Sequence, residues 1–287
     1  MSDVRPRTRR GHPIALLAFT AVLTTYFLSP LLWLVVGSTK NNEQLTNTFG
    51  LFPAIPGNLS ENFVKLFTDG GGIYGRWLLN SIIYAGTIAV VSTAFCALAG
   101  FAFAKYRFRG KAVMYGIVLG SVMVPNTALV LPIFLFMNQL GLVNSYWAVI
   151  LPSLVNPLGL FLFRIFWDDS LPNELLDAGR IDGARDLRLF WSIGLPLVRN
   201  GLVTVGLLAF VGAWNNFFLP VIVLSDEELF PVVQGLASWN LRPASGVTVD
   251  VGVVLLGSLI SVIPLVFAFF RLAKYWQTGL TAGATKS

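Results

Sequence analysis

Charged residues divide the chain into long apolar stretches. Asp, Glu, Lys and Arg are absent from residues 11–39, 77–104, 112–163, 200–225 and 251–270. A membrane-spanning helix needs about 20 apolar residues, so four of these stretches hold one helix each. The stretch 112–163 is long enough for two helices, and the Gly-containing sequence at 141–145 supplies a polar turn at its middle. The pattern therefore predicts six spans, at residues 14–36, 78–103, 113–137, 146–166, 199–223 and 251–271.

Composition and charge turn this pattern into a topology. Hydrophobic residues make up 55% of the 287 positions and charged residues only 12%, against about 25% charged in soluble domains, which indicates an integral membrane protein. With the N-terminus inside, sixteen of the twenty Lys and Arg residues lie in inner segments, where basic residues concentrate. Both termini are therefore predicted to be cytoplasmic. The expected units are a basic N-terminus (1–13), a six-helix domain (14–271) and a C-terminal tail (272–287).

Two longer outer segments join the predicted spans. In segment 40–76, phenylalanines and a leucine recur at helical spacing over Ser60–Thr68, which predicts a short amphipathic helix at the membrane interface. Segment 225–250 carries acidic side chains and Trp239. This composition favours docking of a partner on the outer face, although both segments would also serve as plain connections.

The residue inventory excludes several classes of function. One cysteine and one histidine cannot assemble a His/Cys metal site, and the lone His12 precedes the first span, which argues against a Ser-His-Asp triad and a membrane-embedded enzyme. A GxxxxGK[ST] phosphate loop is absent, so this chain is expected to bind no nucleotide or other cofactor itself. The basic residues behind the net charge of +6 are scattered beside the spans, which favours contact with anionic lipid head groups over nucleic acid.

The uncharged spans also bear on how transport could be driven. Ion-coupled and proton-coupled pumps keep an acidic or basic side chain inside the membrane, and the charge-free stretches that form these spans contain none. A self-sufficient transporter or channel remains the main rival to an externally driven one. Intramembrane carboxylates or a recognisable repeat would favour that rival, and the sequence shows neither.

A polar segment between the fourth and fifth spans, residues 168–199, holds ten charged side chains. Each would cost about 2.5 to 3.5 kcal/mol at the bilayer centre, so the segment lies outside the membrane. Its periodicity predicts two short helices separated at Asp182-Gly183, with Ser170 or Asn173 as the first cap. One face of the first helix is predicted to comprise Leu175, Ala178 and Gly179. On periodicity alone, a hairpin that rests on the bilayer and a docking element for another protein fit equally well.

The amino-acid sequence of this segment favours the docking element. Residues 174–184 read ELLDAGRIDGA and residues 193–196 read IGLP. They closely resemble the EAA loop of permease subunits in ATP-binding-cassette importers, with the pattern E-L-x-E-A-A-x-I-D-G-A and then I-x-L-P. The resemblance is to the carbohydrate-uptake branch that includes the maltose-type transporters. It extends from about the first span to the C-terminus through LGLVNSYWA at 140–148, GAWNNF at 212–217 and GLTAGA at 279–284.

This resemblance implies an all-α integral membrane fold of six transmembrane helices, with a cytoplasmic coupling loop at 168–198. In the family, ATPase subunits grip this loop, so the chain is expected to be non-catalytic, with ATP and Mg on its partners. The implied partners are a second permease subunit, two ATPase subunits, an extracytoplasmic sugar-binding protein and membrane lipid, in the cytoplasmic membrane of a prokaryote. The contact residues carried over from the motif are Glu174, Asp177, Ala178, Gly179, Asp182, Gly183 and Ala184.

Two glycines in this motif have different expectations. The usual Glu-Ala-Ala becomes Asp177-Ala178-Gly179, and glycine lowers helix propensity by up to about 1 kcal/mol relative to alanine. Docking is therefore expected to be somewhat looser than in a typical member. Gly183 is expected to be the least replaceable residue, because a side chain there would disturb the turn.

Uncharged amides at membrane depth are the candidates for substrate contact. An aromatic ring can stack on the C–H face of a sugar while neighbouring amides bind its hydroxyls. The predicted pathway residues are Trp214, Asn215, Asn216, Asn126 and Asn156. Each amide could equally hold helices together by hydrogen bonds. With the resemblance, the prediction is import of a di- or oligosaccharide; a glycerophosphate or other polyol is the alternative, and whether this chain itself touches the substrate stays open.

Overall fold

The fold is all-helical in the part of the chain that the structure describes. The computed structural model describes the backbone of residues 13–241 and 250–281, and the side chains of residues 15–240 and 250–272. No strand occurs in these residues. The predicted N-terminal segment 1–13 lies largely outside these residues, and the predicted tail 272–287 is described only as far as the backbone of Thr281, so both stay predictions.

Helices follow one another with short connections. In chain order they are α1 (Pro13–Gly37), α2 (Asn42–Asn47), α3 (Leu59–Thr68), α4 (Ile73–Lys105), α5 (Lys111–Val122), α6 (Asn126–Gln139), α7 (Tyr146–Ser153), α8 (Pro157–Ser170), α9 (Asn173–Ile181), α10 (Asp186–Arg188), α11 (Leu195–Leu197), α12 (Arg199–Trp214), α13 (Phe218–Val223), α14 (Val232–Leu241) and α15 (Val251–Thr281). A π-helical stretch, Leu189–Gly194, joins α10 to α11. We call α10, this stretch and α11 together the return segment.

The spans are of two kinds. Helices α1, α4 and α15 are each long and apolar enough to cross a membrane unaided. The third and fourth predicted spans are bent pairs, α5 with α6 at 106° and α7 with α8 at 41°. Helix α12 forms the third such pair with the return segment, at 82°. Counting each bent pair as one span gives six, so the predicted number is confirmed.

Prolines within the third to fifth spans predict kinks, and the structure breaks each of these spans into two helices. Pro125 adopts an extended ψ of 127° between α5 and α6, since proline cannot donate the hydrogen bond that would continue the helix. Asn156 accepts a hydrogen bond from the Gly159 N–H and restarts the fourth span at α8. In the fifth, α12 ends at Trp214, and α13 begins only after three further residues.

Two buried clusters hold the helices together. The outer cluster contains Trp77, Tyr84, Trp214 and Trp239 and joins α4 to α12 and α14. The inner cluster, which we call the inner core, joins α4, α8, α9, the return segment and α12. Its buried members are Cys96, Ala97, Phe101, Phe163, Trp167, Leu171, Leu176, Leu189, Phe190, Val198 and Val205. The polar segment is therefore packed onto the spans by apolar side chains.

Helix α3 confirms the predicted short helix of the first outer segment, but it packs inward as well as outward. Its Leu66 is buried, whereas Phe63 and Phe67 are exposed. Lys65 of the same helix bonds Asp250 at 2.7 Å, just before α15. Lys65 donates hydrogen bonds to the carboxylates of Asp250 and Glu61, and these bonds raise the pKa of Lys65 above its ordinary value. The outer ends of these helices are thus tied together.

The second outer segment is fixed to α4 by hydrogen bonds. The Trp77 Nε1–H donates to the Glu227 carbonyl at 2.8 Å, and the Asn80 amide donates to the carbonyls of Glu228 and Phe230. Trp239, predicted to face a partner, is 2% exposed and packs edge-on against Trp77 at 4.8 Å. That part of the prediction was wrong, because the ring completes the outer cluster instead of facing outward.

Candidate functional site

The polar segment folds as a helical hairpin, with α9 followed by the return segment. The turn closes through hydrogen bonds from the Gly183 N–H to the Arg180 carbonyl at 3.0 Å and from the Ala184 N–H to the Gly179 carbonyl at 2.9 Å. Gly183 has φ of +80°, the left-handed region that glycine adopts without a Cβ penalty. The predicted break at Asp182-Gly183 is therefore confirmed.

The predicted cap of the first helix was wrong. Ser170 is the last residue of α8, and Asn173 is already inside α9. The N-cap is Pro172, which makes no side-chain hydrogen bond. Proline suits the start of a helix because its ring fixes φ and the first backbone N–H groups need no helical partner.

Helix α9 has a buried face and an exposed face. Leu176 and Gly179 are buried against the return segment, where a Cβ at Gly179 would lie 2.5 Å from Leu189 Cδ2. Leu175 and Ala178 are exposed on the other side. Gly179 thus does not share a face with Leu175 and Ala178, contrary to the prediction. It is the point where α9 approaches the return segment most closely.

The exposed face of α9, which we call the α9 face, is apolar at its centre and acidic at its edges. Leu175, Ala178 and Ile181 are exposed on it, and Ile181 is 86% exposed. Glu174 and Asp182 flank them and form no ion pair within the described residues. An exposed apolar strip with unpaired carboxylates at its rim suits docking against another protein.

The other two positions carried over from the motif, Asp177 and Ala184, make contacts within the protein. Asp177 pairs with Arg180 at 3.2 Å, and Arg180 reaches Asp186 of the return segment at 3.7 Å. Ala184 is half-buried and packs against the inner core. These exposed ion pairs contribute about 0.2 to 1 kcal/mol each, so they orient the hairpin more than they stabilise it.

Trp167 at the end of α8 connects the hairpin to the spans. Its ring is fully buried between Phe101 of α4 and Phe190 of the return segment, with ring centroids 5.0 and 5.5 Å away. Its Nε1–H donates to the Ala97 carbonyl at 2.9 Å. A Cβ at Gly194 would lie 2.7 Å from the same ring. Trp167 was not predicted from the sequence, although a tryptophan just before a charged segment could have indicated an anchor there.

Tyr106 makes a second connection, at the inner end of α4. Burial raises the pKa of its phenol above the ordinary value, a hydrogen bond with Asp186 acts in the same direction, and Arg180 opposes it. Its ring packs edge-on against Phe101 at 5.7 Å. Tyr106, directly after α4, therefore contacts both arms of the hairpin, α9 and the return segment.

The predicted pathway residues are placed in different environments. Trp214 is 2% exposed and stacks on Phe210 at 5.7 Å, so its ring is closed to a sugar in this conformation. Asn215 is exposed, and its amide donates to the Val211 carbonyl at 2.9 Å. Asn216 is half-buried in the break between α12 and α13.

The other two amides lie at breaks in the third and fourth spans. Asn126 is exposed at the first position of α6, directly after Pro125. The Asn156 side chain caps its own helix, α8, whereas its backbone carbonyl accepts the Cys96 S–H at 3.3 Å. Asn126 and Asn156 therefore both lie where a helix is interrupted.

Among the described residues no three His, Cys, Asp or Glu side chains cluster as a metal site would require.

Known proteins with the same architecture are membrane subunits of importers. Arabinooligosaccharides transport system permease protein AraQ of Halalkalibacterium halodurans is 36% identical over 95% of this chain and 94% of its own length. Trehalose/maltose transport system permease protein MalG of Thermococcus litoralis is 31% identical over 95% of this chain and 96% of its own length. Both relatives are matched over nearly their full length, so the similarity concerns the whole architecture.

A solved structure and a family match agree with these relatives. A bacterial ABC transporter involved in the import of the acidic polysaccharide alginate contains a chain with TM-score 0.79 and 23% identity, covering 96% of this chain and 100% of that chain. At this identity it supports the fold. Residues 93–281 match the family described as binding-protein-dependent transport system inner membrane component. The predicted resemblance to importer permeases is confirmed, and the chain belongs to this family of multi-pass membrane permeases.

Proposed function

We propose that this chain is the permease subunit of an ATP-driven importer and that its α9 face is the docking surface for an ATPase subunit. The observation that carries the proposal is the α9 face itself, where Leu175, Ala178 and Ile181 are exposed between Glu174 and Asp182. ATP and Mg would bind to two such ATPases and not to this chain. Its own role is mechanical and non-catalytic.

The packing of the hairpin supports a mechanical role. Leu176 and Leu189 of the hairpin are buried in the inner core together with Ala97 of α4 and Val205 of α12. Protein interiors are close-packed and transmit displacement instead of absorbing it. A partner that moves the α9 face would therefore move α4, α8 and α12 with it, which would open and close a pathway on alternate sides.

A neutral di- or oligosaccharide is the substrate we propose. The relatives named above are called arabinooligosaccharides and trehalose/maltose transport proteins. Stretches 112–163 and 200–225 contain no Lys or Arg, so a glycerophosphate would find no cation there to bind its phosphate. Exposed amides at the helix breaks, Asn126 and Asn215, would offer hydrogen bonds to hydroxyl groups.

The proposed assembly lies in the cytoplasmic membrane of a prokaryote. It contains a second permease subunit, two ATPase subunits and an extracytoplasmic sugar-binding protein. The two termini and the hairpin would face the cytoplasm, since most Lys and Arg residues lie in those segments.

Cross-linking tests the docking surface. With Ala178→Cys we expect a disulfide or short cross-link to the ATPase subunit in the reconstituted complex. The matched control is Ser192→Cys, which is exposed on the return segment and lies off the α9 face. Sugar with its binding protein should then stimulate ATP hydrolysis, and the cross-link should abolish that stimulation. Failure of Ala178→Cys to reach any ATPase would refute the proposal.

A further inference from the structure

An apolar groove of about 490 Å³ lies along the spans, and none of the roles above uses it. Helices α4, α12 and α15 form its walls, and Phe190, Trp191 and Leu195 of the return segment line one end. Val90 lines it and is 72% exposed, so the groove opens to the surroundings of the helices.

The groove has the length of one bilayer leaflet. Its wall on α4 runs from Gly86 to Leu98, which at 1.5 Å per residue is about 18 Å. Half of the bilayer hydrocarbon core is roughly 15 Å thick. Gly86 and Ala89 on α4 and Gly206 on α12 line the groove without bulky side chains, which leaves room between the helices.

Basic and aromatic groups mark one end of the groove. Arg199 lies one turn before Leu202 on the same face of α12, and it is exposed. Arg271 is exposed beside the lining residue Leu272 of α15. Trp191 is 58% exposed at that end. Arginine with tryptophan is the combination found where membrane helices meet lipid head groups.

The size of the groove favours a flexible chain over a protein helix. A helix about 10 Å wide fills roughly 420 Å³ with a single 5.4 Å turn. Spread over a length of more than three turns, this volume makes a groove narrower than a helix, which suits an extended chain. A helix of another subunit could rest on the rim, but it could not fill the groove.

We propose that this groove binds an acyl chain of an anionic phospholipid in the cytoplasmic leaflet, with the phosphate held by Arg199 and Arg271. The lipid would touch α4, α12 and α15 together with Phe190 and Trp191 of the return segment. It would thus bridge the spans and the hairpin from the membrane side. The inference depends on the membrane fold and on the predicted orientation, and it is independent of the sugar substrate.

Photolabelling in vesicles tests the site directly. The full-length chain with its partner subunits is reconstituted with phosphatidylglycerol that carries a photoactivatable group in one acyl chain. We expect labelled peptides from the Gly86–Leu98 and Leu202–Phe210 regions. Gly86→Leu should remove this label, because a Cβ at Gly86 meets no atom within 4 Å and the larger side chain can extend into the groove. Arg199→Gln should lower labelling about fivefold.

Matched variants distinguish groove filling from misfolding. Gly116→Leu, on α5, also has open space around its Cβ but lies outside the groove, so its labelling should be unchanged. Val90→Trp is a second variant that fills the groove from its most exposed wall position and should also remove the label. A phosphatidylcholine probe, whose choline balances the phosphate charge, should be less sensitive to Arg199→Gln. Equal labelling of Gly86→Leu and Gly116→Leu, or a cross-link from Gly86→Cys to another permease chain, would overturn the proposal.

Discussion

Gly183 combines an unusual backbone conformation with an open environment. Its φ is +80°, yet a Cβ built on it would meet no atom within 4 Å. A side chain would therefore cost conformational energy, about 1 to 2 kcal/mol for a residue forced into the left-handed region, without clashing inside the protein. It would instead project from the turn into the space where a partner is proposed to bind.

We predict that Gly183→Asp leaves the protein folded and in the membrane while abolishing substrate-stimulated ATP hydrolysis. Gly183→Asn is the matched control for backbone strain, because asparagine tolerates a positive φ better than most residues. Both variants should unfold within a few degrees of the wild-type protein in detergent. Both should lose stimulation, since each adds a side chain to the docking surface; undiminished stimulation would contradict the coupling role.

Gly179 is required for packing and not only for docking. Alanine at this position would restore the common motif and improve helix propensity by up to about 1 kcal/mol, but its Cβ would meet Leu189 Cδ2 at 2.5 Å. Leu189 is fully buried and has little room to move. Overpacking typically costs about 1 to 3 kcal/mol, so the clash is expected to exceed the gain.

We therefore predict that Gly179→Ala lowers the free energy of unfolding by about 1 kcal/mol. In a Leu189→Val background, which removes the two Cδ atoms, the same substitution should be neutral or stabilising. A double-mutant cycle of denaturation in detergent measures this coupling. Stabilisation by Gly179→Ala alone would show that Leu189 relaxes freely.

Periodicity located α9 from the sequence but assigned Gly179 to the wrong face. Leu175, Ala178 and Gly179 have the spacing of one face, yet Leu176 and Gly179 are the residues that pack inward. The return segment decides which face is buried, and it contributes Leu189 and Ile193 from further along the chain. A local pattern contains no information about such a distant contact, whereas the turn at Gly183 is specified locally and was predicted correctly.

At the scale of elements, one side chain joins three helical segments. Trp167 on α8 packs against Phe101 of α4 and Phe190 of the return segment and donates to the Ala97 carbonyl. Gly194 approaches its ring so closely that a Cβ would lie 2.7 Å away. The relative position of hairpin and spans therefore depends on this ring.

Trp167→Phe and Trp167→Ala should separate the hydrogen bond from the packing. Phenylalanine keeps an aromatic ring and loses the N–H donor, so the expected loss is about 1 kcal/mol. Alanine leaves a cavity and should cost about 3 to 5 kcal/mol. Trp147→Phe is the control, because Trp147 is exposed and should change little. Unfolding temperatures in detergent give the order, and equal effects of the two Trp167 variants would contradict this account.

The spans show which features of an element a sequence specifies. Charge-free stretches gave the number of spans, because a charge inside lipid is costly whatever the fold. The prolines predicted kinks, and Pro125 and the Asn156-Pro157 pair do lie at two of the bends, but the size of each bend was not predicted. Proline removes one backbone donor, but the 106° and 41° angles follow from how neighbouring helices pack, which is a property of the assembled protein.

The two ends of the molecule are fastened by separate sets of contacts. The inner core fastens the hairpin to α4, α8 and α12, while the outer cluster and the hydrogen bonds of α4 fasten the second outer segment. Helix α1 differs, because its lipid-crossing part is almost entirely exposed within this chain. Composition could not reveal this difference, since α1 and α15 are similarly apolar in sequence.

Orientation in the membrane is a property of the whole molecule, and we predict that the hairpin faces the cytoplasm. Single cysteines at Phe52 and Ile181 test it, since both side chains are highly exposed and lie on opposite predicted sides. In intact cells a membrane-impermeant maleimide should label Phe52→Cys, and Ile181→Cys should react only after permeabilisation. Cys96 is 4% exposed, so the parent chain provides a low background. Labelling of Ile181→Cys from outside would invert the topology and place the α9 face beyond the reach of any ATPase.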